Sequence, residues 1–290
     1  MKNRPALLGR KGATRMSSVP ATVLRELSKG SVETVNLMEW LAADMGKLAQ
    51  AVARETSDLT LKAALKKAAV VAKHLGVVAR MRAFGSAIAS SSNLDGSHFR
   101  RLAEHRSDLV RQWACYAVND PFLNMAIGDR LERTLPFATD TNMSVREAAW
   151  MAFRPHLEAS FNDALRRLEV VAAHANPNCR RFAVEVTRPR SVWGGHLRRL
   201  KVEPQLAEPL LENVRNDASR YVQLAAGNWI NDAAKTRPDW ALRLCERWMQ
   251  NPDPATHKIV VRGLRTLRSQ RSGESAKLFP ITWPAALEIV

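Results

Sequence analysis

Apolar positions recur three and four residues apart along almost the whole chain, the spacing that gathers them on one face of an α-helix. Between Ser31 and Glu55, Val35, Leu37, Met38, Leu41, Met45, Leu48 and Val52 share such a face, and Ser31, Glu33 and Thr34 give it an acidic, cap-like start. A second helical stretch, Leu59–Ala87, is rich in Ala, Val and Leu, with Lys62, Lys66, Lys67 and Lys73 marking its wet side. Gly85 and the serine-rich run from Ala89 to Ser97 predict a loop. Strand signals are nearly missing. There are two Tyr, no alternating β-branched runs, and no Asn-Gly or Asp-Gly turn joining two such runs.

From about residue 98 the helices come as short pairs separated by turn residues: NDP at Asn119, TDTN at Thr139, NPN at Asn176, ND at Asn216 and NPDP at Asn251. Similar helices begin after them, at LVRQWACYAV, SVREAAWMAF, CRRFAVEVT, RYVQLAAGNWI and THKIVVRGL. Arg111, Arg146 and Arg181 are 35 residues apart, and Gln223 follows 42 later. A helix pair repeating at that period predicts an all-α, HEAT-like repeat α-solenoid, in which stacking buries the face that no unit buries alone. The expected organisation is a basic, disordered arm over 1–18, one solenoid domain over 19–270, and a tail over 271–290 packed on the last repeat.

Composition narrows the function. The chain has 290 residues, with 44 Lys plus Arg against 28 Asp plus Glu, a net charge of +16 and a pI near 10.6. Arg outnumbers Lys 32 to 12, with no Lys between Lys73 and Lys201. Guanidinium forks hold phosphate oxygens bidentately, so this balance points to a polyanionic partner. A membrane surface fits less well, because the arginines are spread over many short helices instead of one basic amphipathic helix. Cys115, Cys179 and Cys245 form no CxxC motif or disulfide framework, and the seven His form no HExxH pair or Cys/His cluster. No apolar run reaches the roughly 18 residues of a spanning helix. The expectation is a soluble cytoplasmic protein, a monomer, with no metal and no cofactor.

If the second helix of each pair lines the concave side of the solenoid, Arg146, Arg154, Arg180, Arg181, Arg188, Arg190, Arg220 and Arg262, with Lys235, make a basic face suited to the backbone of duplex DNA. Trp40, Trp113 and Trp248 sit at core spacing. Trp193 instead stands between Pro189 and the Gly194–Gly195 pair, where it either protrudes toward a ligand or plugs a gap between repeats. Three carboxylates stand near these cations. Glu185 is flanked by Arg181 and Arg188, Asp232 has Lys235 close by, and Glu147 shares a helix face with Trp150. Acids in a cationic groove repel DNA, so they belong there either as salt-bridge partners or for chemistry.

The segments TRPRSVWG (Thr187–Gly194), MAFRPHL (Met151–Leu157) and SRYVQLAAGNWINDAAKTRPDW (Ser219–Trp240) resemble the HEAT-like DNA alkylation repair glycosylases, the C branch more than the D branch. The resemblance spans about residues 138–270. It implies hydrolysis of the N-glycosidic bond of cationic alkylated purines, such as 3-methyladenine and 7-methylguanine, in duplex DNA without full base flipping. A purine that already carries positive charge is a good leaving group. What helps is a carboxylate near the sugar that stabilises oxocarbenium character and orients water, with aromatic faces supporting the cation. The resemblance places Glu185 at the catalytic carboxylate, Trp193 at the sugar-facing tryptophan, Asp232 at the second acid, and Arg188 and Arg190 at the phosphate side. Where the C branch carries another Glu, this chain has Trp150, and Glu147 lies one turn earlier. The chain is also expected to lack the C-terminal immunoglobulin-like domain of some members. Two other readings stay open on the residues: a non-catalytic HEAT-like module that binds DNA or recognises damage, and a protein-binding scaffold for an acidic partner.

Overall fold

The computed structural model describes Leu7, residues 9–271 and residues 284–287, and among these it is helical throughout, with no strand. Its contacts divide the chain into two compact units, Met1–Phe153 and Arg154–Val290. Each is a stack of helix pairs of the HEAT-like kind.

The first unit holds α1 (Ala21–Ser28), α2 (Leu37–Ala42), α3 (Met45–Glu55), α4 (Leu59–Ala72), α5 (Val77–Ser91), α6 (Ser97–Ala103), α7 (Asp108–Val118), α8 (Ile127–Ala138) and α9 (Met143–Phe153). Helices α5, α7 and α9 pack in succession as an inner row, and α4, α6 and α8 pack against them. Every residue of α7 is buried. Phe84 stacks on Trp113 with ring centroids 4.2 Å apart. Gly85 lies inside α5, not in the loop its sequence context predicts. A Cβ there would fall 2.5 Å from the Cβ of Tyr116, so glycine is what lets α5 and α7 approach.

Two long helices expected from the periodicity are each broken. Asn36 accepts a hydrogen bond from Glu39 N (3.1 Å) to start α2, and Asp44 accepts one from Lys47 N (2.9 Å) to start α3. Gly76, in extended backbone, separates α4 from α5. The described part of the N-terminal arm is not loose. Arg10 pairs with the buried Glu39 (2.6 Å) and donates to the Glu33 carbonyl (2.6 Å), while Asn36 donates to the Ala13 carbonyl (2.8 Å). An acid buried beside α2 recruits the arm's arginine. Residues 1–6 lie outside the described residues.

The second unit holds α10 (Phe161–Ala172), α11 (Pro177–Thr187), α12 (Arg198–Val202), α13 (Glu208–Glu212), α14 (Arg220–Ala234), α15 (Pro238–Met249), α16 (Pro254–Gly263) and α17 (Arg265–Arg271). Its inner row is α11, α14 and α16. Gly227 and Gly263 permit the closest approach, since a Cβ on either would meet Arg262 or Ile230 at 2.8 Å. Trp229 is fully buried and donates to Thr187 Oγ1 (3.1 Å), and the indoles of Trp240 and Trp248 donate to Glu208 (2.5 Å) and Glu212 (2.7 Å). Trp40, Trp113 and Trp248 are core residues, as their spacing predicts. Of the expected C-terminal tail, Ala285–Leu287 packs on α15 with Leu287 buried, and residues 272–283 and 288–290 lie outside the described residues.

The 35-residue arginine period has a structural cause. Arg111 donates to the His105 carbonyl (2.7 Å), Arg146 to Asp140 (2.7 Å), Arg180 to His174 (2.9 Å), and Gln223 to Asp217 (2.8 Å). Each reaches six residues back and closes the turn before its own helix. Arg111 also clasps Asp140 (2.7 and 2.9 Å), and Arg180 clasps Asp217 (2.5 and 2.9 Å), so a guanidinium of one pair is tied to the turn of the next. The register is therefore Arg111, Arg146, Arg180 and Gln223. In the second unit the position belongs to Arg180 and not to its neighbour Arg181.

Candidate functional site

In the second unit, α11 ends at Thr187 and the chain runs through Arg188–Leu197 before α12. This connection is pinned at several points. Arg154, only 3% exposed, donates to the carbonyls of Val186 (2.8 Å), Arg188 (2.6 Å) and Gly195 (2.9 Å). Leu197 N bonds back to Pro189 O (3.1 Å). The Ser191 hydroxyl accepts from Trp193 N (3.2 Å) and Gly194 N (3.0 Å), a side-chain turn that sets the indole outward. Trp193 is 42% exposed, more open than a side chain plugging a gap between repeats would be.

Beside the connection lie two buried acids. Glu185, on α11, and Asp232, on α14, are 6% and 4% exposed. Arg188 bridges them, donating through Nη1 to Glu185 Oε2 (3.1 Å) and through Nε to Asp232 Oδ2 (2.8 Å). Arg181 stands 3.5 Å from the other Glu185 oxygen and stacks over the Tyr221 ring at 4.1 Å. Lys235 Nζ lies 3.9 Å from Asp232 Oδ1, and Arg190 Nε donates to the Asp232 carbonyl (3.2 Å). Burial pushes the Asp232 carboxyl above the ordinary aspartate range, and the charge of Arg188 pulls against it. Burial also works against the charge on Arg188, but its two carboxylates more than offset that and hold the guanidinium above its usual value. The Arg154 guanidinium is pushed down to about 10 by burial, reinforced by the nearby Arg188 charge. Among the described residues no group of three or more His, Cys, Asp or Glu side chains is placed to hold a metal ion.

Glu185, Asp232, Arg188 and Arg190 are thus brought together. Glu147 and Trp150 belong to the first unit, where the buried Trp150 indole donates to Glu147 Oε2 (2.7 Å). The expected phosphate-binding set is divided by use. Arg154 is consumed by three backbone carbonyls, and Arg146 donates to the carbonyls of Asp140 and Thr141. Arg262 is half-buried and donates to Asn228 Oδ1 (2.9 Å), while Arg181 is buried against Glu185 and Tyr221. Arg220 and Lys235 are exposed and Arg190 is half-buried. The second helices are the most buried of each stack, which is why their arginines serve the fold first. Sequence reasoning missed Arg265, whose charge also acts on Asp232, and the latch role of Arg154. A segment as plain as MAFRPHL carries no sign that its arginine is buried.

No family model matches the chain. A curated relative, the "Uncharacterized protein YhaZ" of Bacillus subtilis (strain 168), is 32% identical over 128 residues, which is 44% of this chain and 36% of that protein. The match therefore spans little more than a third of the relative's length. Among solved structures, the alkylpurine DNA glycosylase AlkC of Pseudomonas fluorescens, bound to DNA containing an abasic site analog, superposes with a TM-score of 0.65 at 22% identity, covering 92% of this chain and 68% of that one. The smu.31 protein of Streptococcus mutans UA159 superposes with a TM-score of 0.51 at 19% identity, covering 74% of this chain and 97% of that one. The chain shares the all-helical fold of the Pseudomonas fluorescens structure across nearly its whole length.

Proposed function

We propose that this protein acts in DNA alkylation repair, as a monofunctional glycosylase that removes cationic N-alkylated purines from duplex DNA. The observation that carries the reading is the buried Glu185–Arg188–Asp232 cluster beside an outward-facing Trp193. Its fold likeness to a DNA-bound alkylpurine glycosylase and its +16 charge agree with that reading.

Arg181, Arg188 and Lys235 surround the two buried carboxylates, so the site as a whole is cationic. Within it the carboxylate oxygens are the groups that favour positive charge developing on a deoxyribose. In the reaction, the bond from C1′ to the purine nitrogen breaks and its electron pair neutralises the base, which leaves as a neutral alkylpurine. A water oxygen bonds to C1′, and one proton passes to solvent. Glu185 stabilises the oxocarbenium character and orients the water, Asp232 shares that field, and Trp193 presents an aromatic face to the sugar. Arg190, Arg220 and Lys235 contact phosphates. No general acid is required, because the leaving group is already cationic.

One observation favours a second reading, a DNA-binding or damage-recognition module without catalysis: Arg188 pairs with both carboxylates at once. Incubation with methylated duplex DNA and measurement of freed 3-methyladenine and 7-methylguanine tests the proposal. Release of either base supports the glycosylase. Tight duplex binding with no release supports the module.

A further inference from the structure

We propose that Val192 is a wedge: the tip of the Arg188–Leu197 connection enters the base stack of a duplex at the damaged nucleotide and opens that step toward the carboxylates. This inference deepens the glycosylase reading and rests on the Glu185–Arg188–Asp232 cluster being the lesion site.

Val192 is 89% exposed and stands next to Trp193, so two open apolar side chains share the end of one short connection. A surface valine by itself needs no explanation. This one sits on backbone that the fold fixes at both feet and at the tip. Arg154 donates to the carbonyls of Val186 and Arg188 on the incoming side (2.8 and 2.6 Å) and of Gly195 on the outgoing side (2.9 Å). Leu197 N donates to Pro189 O (3.1 Å) and closes the base. At the tip, the Ser191 hydroxyl accepts from Trp193 N (3.2 Å) and Gly194 N (3.0 Å). A Cβ on Gly194 would stand 3.3 Å from Arg154 Cδ, so the tip lies close on its own latch. Valine adds stiffness of its own, because branching at Cβ restricts χ1. Folding therefore holds an apolar side chain in a fixed place where this chain buries almost none of it.

Position and charge indicate what covers it. Arg188, which bonds both Glu185 and Asp232, is four residues from Val192, so at most about 14 Å of backbone separates the tip from the residue that bridges the acids. Arg190 lies between them in sequence, and the exposed Lys235 stands 3.9 Å from Asp232. An apolar tip with cations behind it and carboxylates within reach fits a nucleic-acid duplex. Phosphates meet the cations while the side chain slips between base steps, as apolar wedges do in minor-groove binding. A lipid surface would accept the tip and the cations but would set anionic headgroups against two buried carboxylates. Valine is short, so it parts a step only partly. A damaged base pair, which costs least to unstack, yields to it first.

The test binds the full-length protein to a duplex that carries a tetrahydrofuran abasic-site analogue with 2-aminopurine as its neighbour, a base whose fluorescence rises when it unstacks. No excision is involved. Wild type and Val192→Ile should each give a saturable, several-fold rise over the free duplex. Val192→Ser should bind but leave the fluorescence near that of the free duplex. Its preference for the analogue duplex over an intact one should fall about tenfold, 1.4 kcal/mol, the scale of one valine side chain no longer buried. Val170→Ser, a change at another exposed valine on α10 away from the cluster, should behave as wild type. Both serine variants alter exposed side chains and should melt as wild type does. The proposal is overturned if Val192→Ser gives the full rise, if wild type binds the analogue duplex with no rise, or if Val170→Ser loses the rise as well. Base release from methylated duplex is scored separately. Release without a fluorescence rise keeps the glycosylase and removes the wedge, whereas a Val192-dependent rise without release keeps the wedge on a recognition module and removes the glycosylase. Failure to bind duplex removes both.

Discussion

Arg154→Ala is the sharpest test of how the candidate site is held together. The guanidinium makes three hydrogen bonds of 2.6 to 2.9 Å to the carbonyls of Val186, Arg188 and Gly195. Its own charge is satisfied by no direct carboxylate contact among the described residues, so its donors go wholly to backbone. Truncation leaves the Val186 and Arg188 carbonyls unpaired in a buried setting and Gly195 free to rehydrate. Each orphaned buried carbonyl costs roughly 1–3 kcal/mol, and the loss of packing against Gly194 adds to it, so the total comes to about 3–5 kcal/mol. For a unit of this size that corresponds to a drop of roughly 10–15 °C in melting temperature. Arg154→Lys should recover part of it, because an ammonium donates but lacks the planar fork. The assay is thermal unfolding followed by circular dichroism, with the salt dependence of duplex binding measured well below the transition. A buried latch predicts a large thermal loss with the salt slope unchanged. A melting temperature close to wild type, with the slope reduced by about one, would refute it and return Arg154 to the phosphate surface.

Other outcomes follow from the same contacts. Asp217→Ala should unfold the second unit about 2–4 kcal/mol more easily, since it strands Arg180 and removes the Ser219 N–H acceptor at the start of α14; urea titration reads the shift, and a midpoint equal to wild type contradicts the turn-closing role. Cys115, Cys179 and Cys245 are buried, and burial raises each thiol above its ordinary range, so none should react with Ellman's reagent near pH 8 until the protein is unfolded. His105 is held below its usual value chiefly by burial, with Glu55 pulling the other way. Because the unfolded chain takes up that proton first, stability should be full above pH 6.5 and fall as pH drops toward the folded value; His105→Gln should flatten that limb of the unfolding curve.

Much of the fold is legible in the sequence because helix pairs write themselves as a 3.6-residue apolar period cut by Asn, Asp and Pro. The five second helices fall where that pattern places them. The period cannot choose between Arg180 and Arg181, which stand side by side. Only the hydrogen bond to His174 O, six residues back, identifies which one closes the turn. Gly85 misleads because a glycine that admits a neighbouring helix looks the same in sequence as one that ends its own. Trp193 is readable through its Pro and Gly flanks. Arg154 is not, since sequence shows a guanidinium but not the carbonyls that consume it. The charge sum has the same weakness: +16 predicts a polyanion partner, yet several of the arginines counted toward it are spent inside the helix stacks.

In the proposed reaction Glu185 does chemistry instead of only pairing with Arg181 and Arg188. The most direct test is single-turnover base release from methylated duplex DNA by wild type and Glu185→Gln, at protein concentrations that saturate binding in both. Wild type should release base, and the Gln variant should bind duplex DNA at least as well but excise orders of magnitude more slowly. Equal excision by the two proteins would contradict it and leave Glu185 as a structural ion-pair partner.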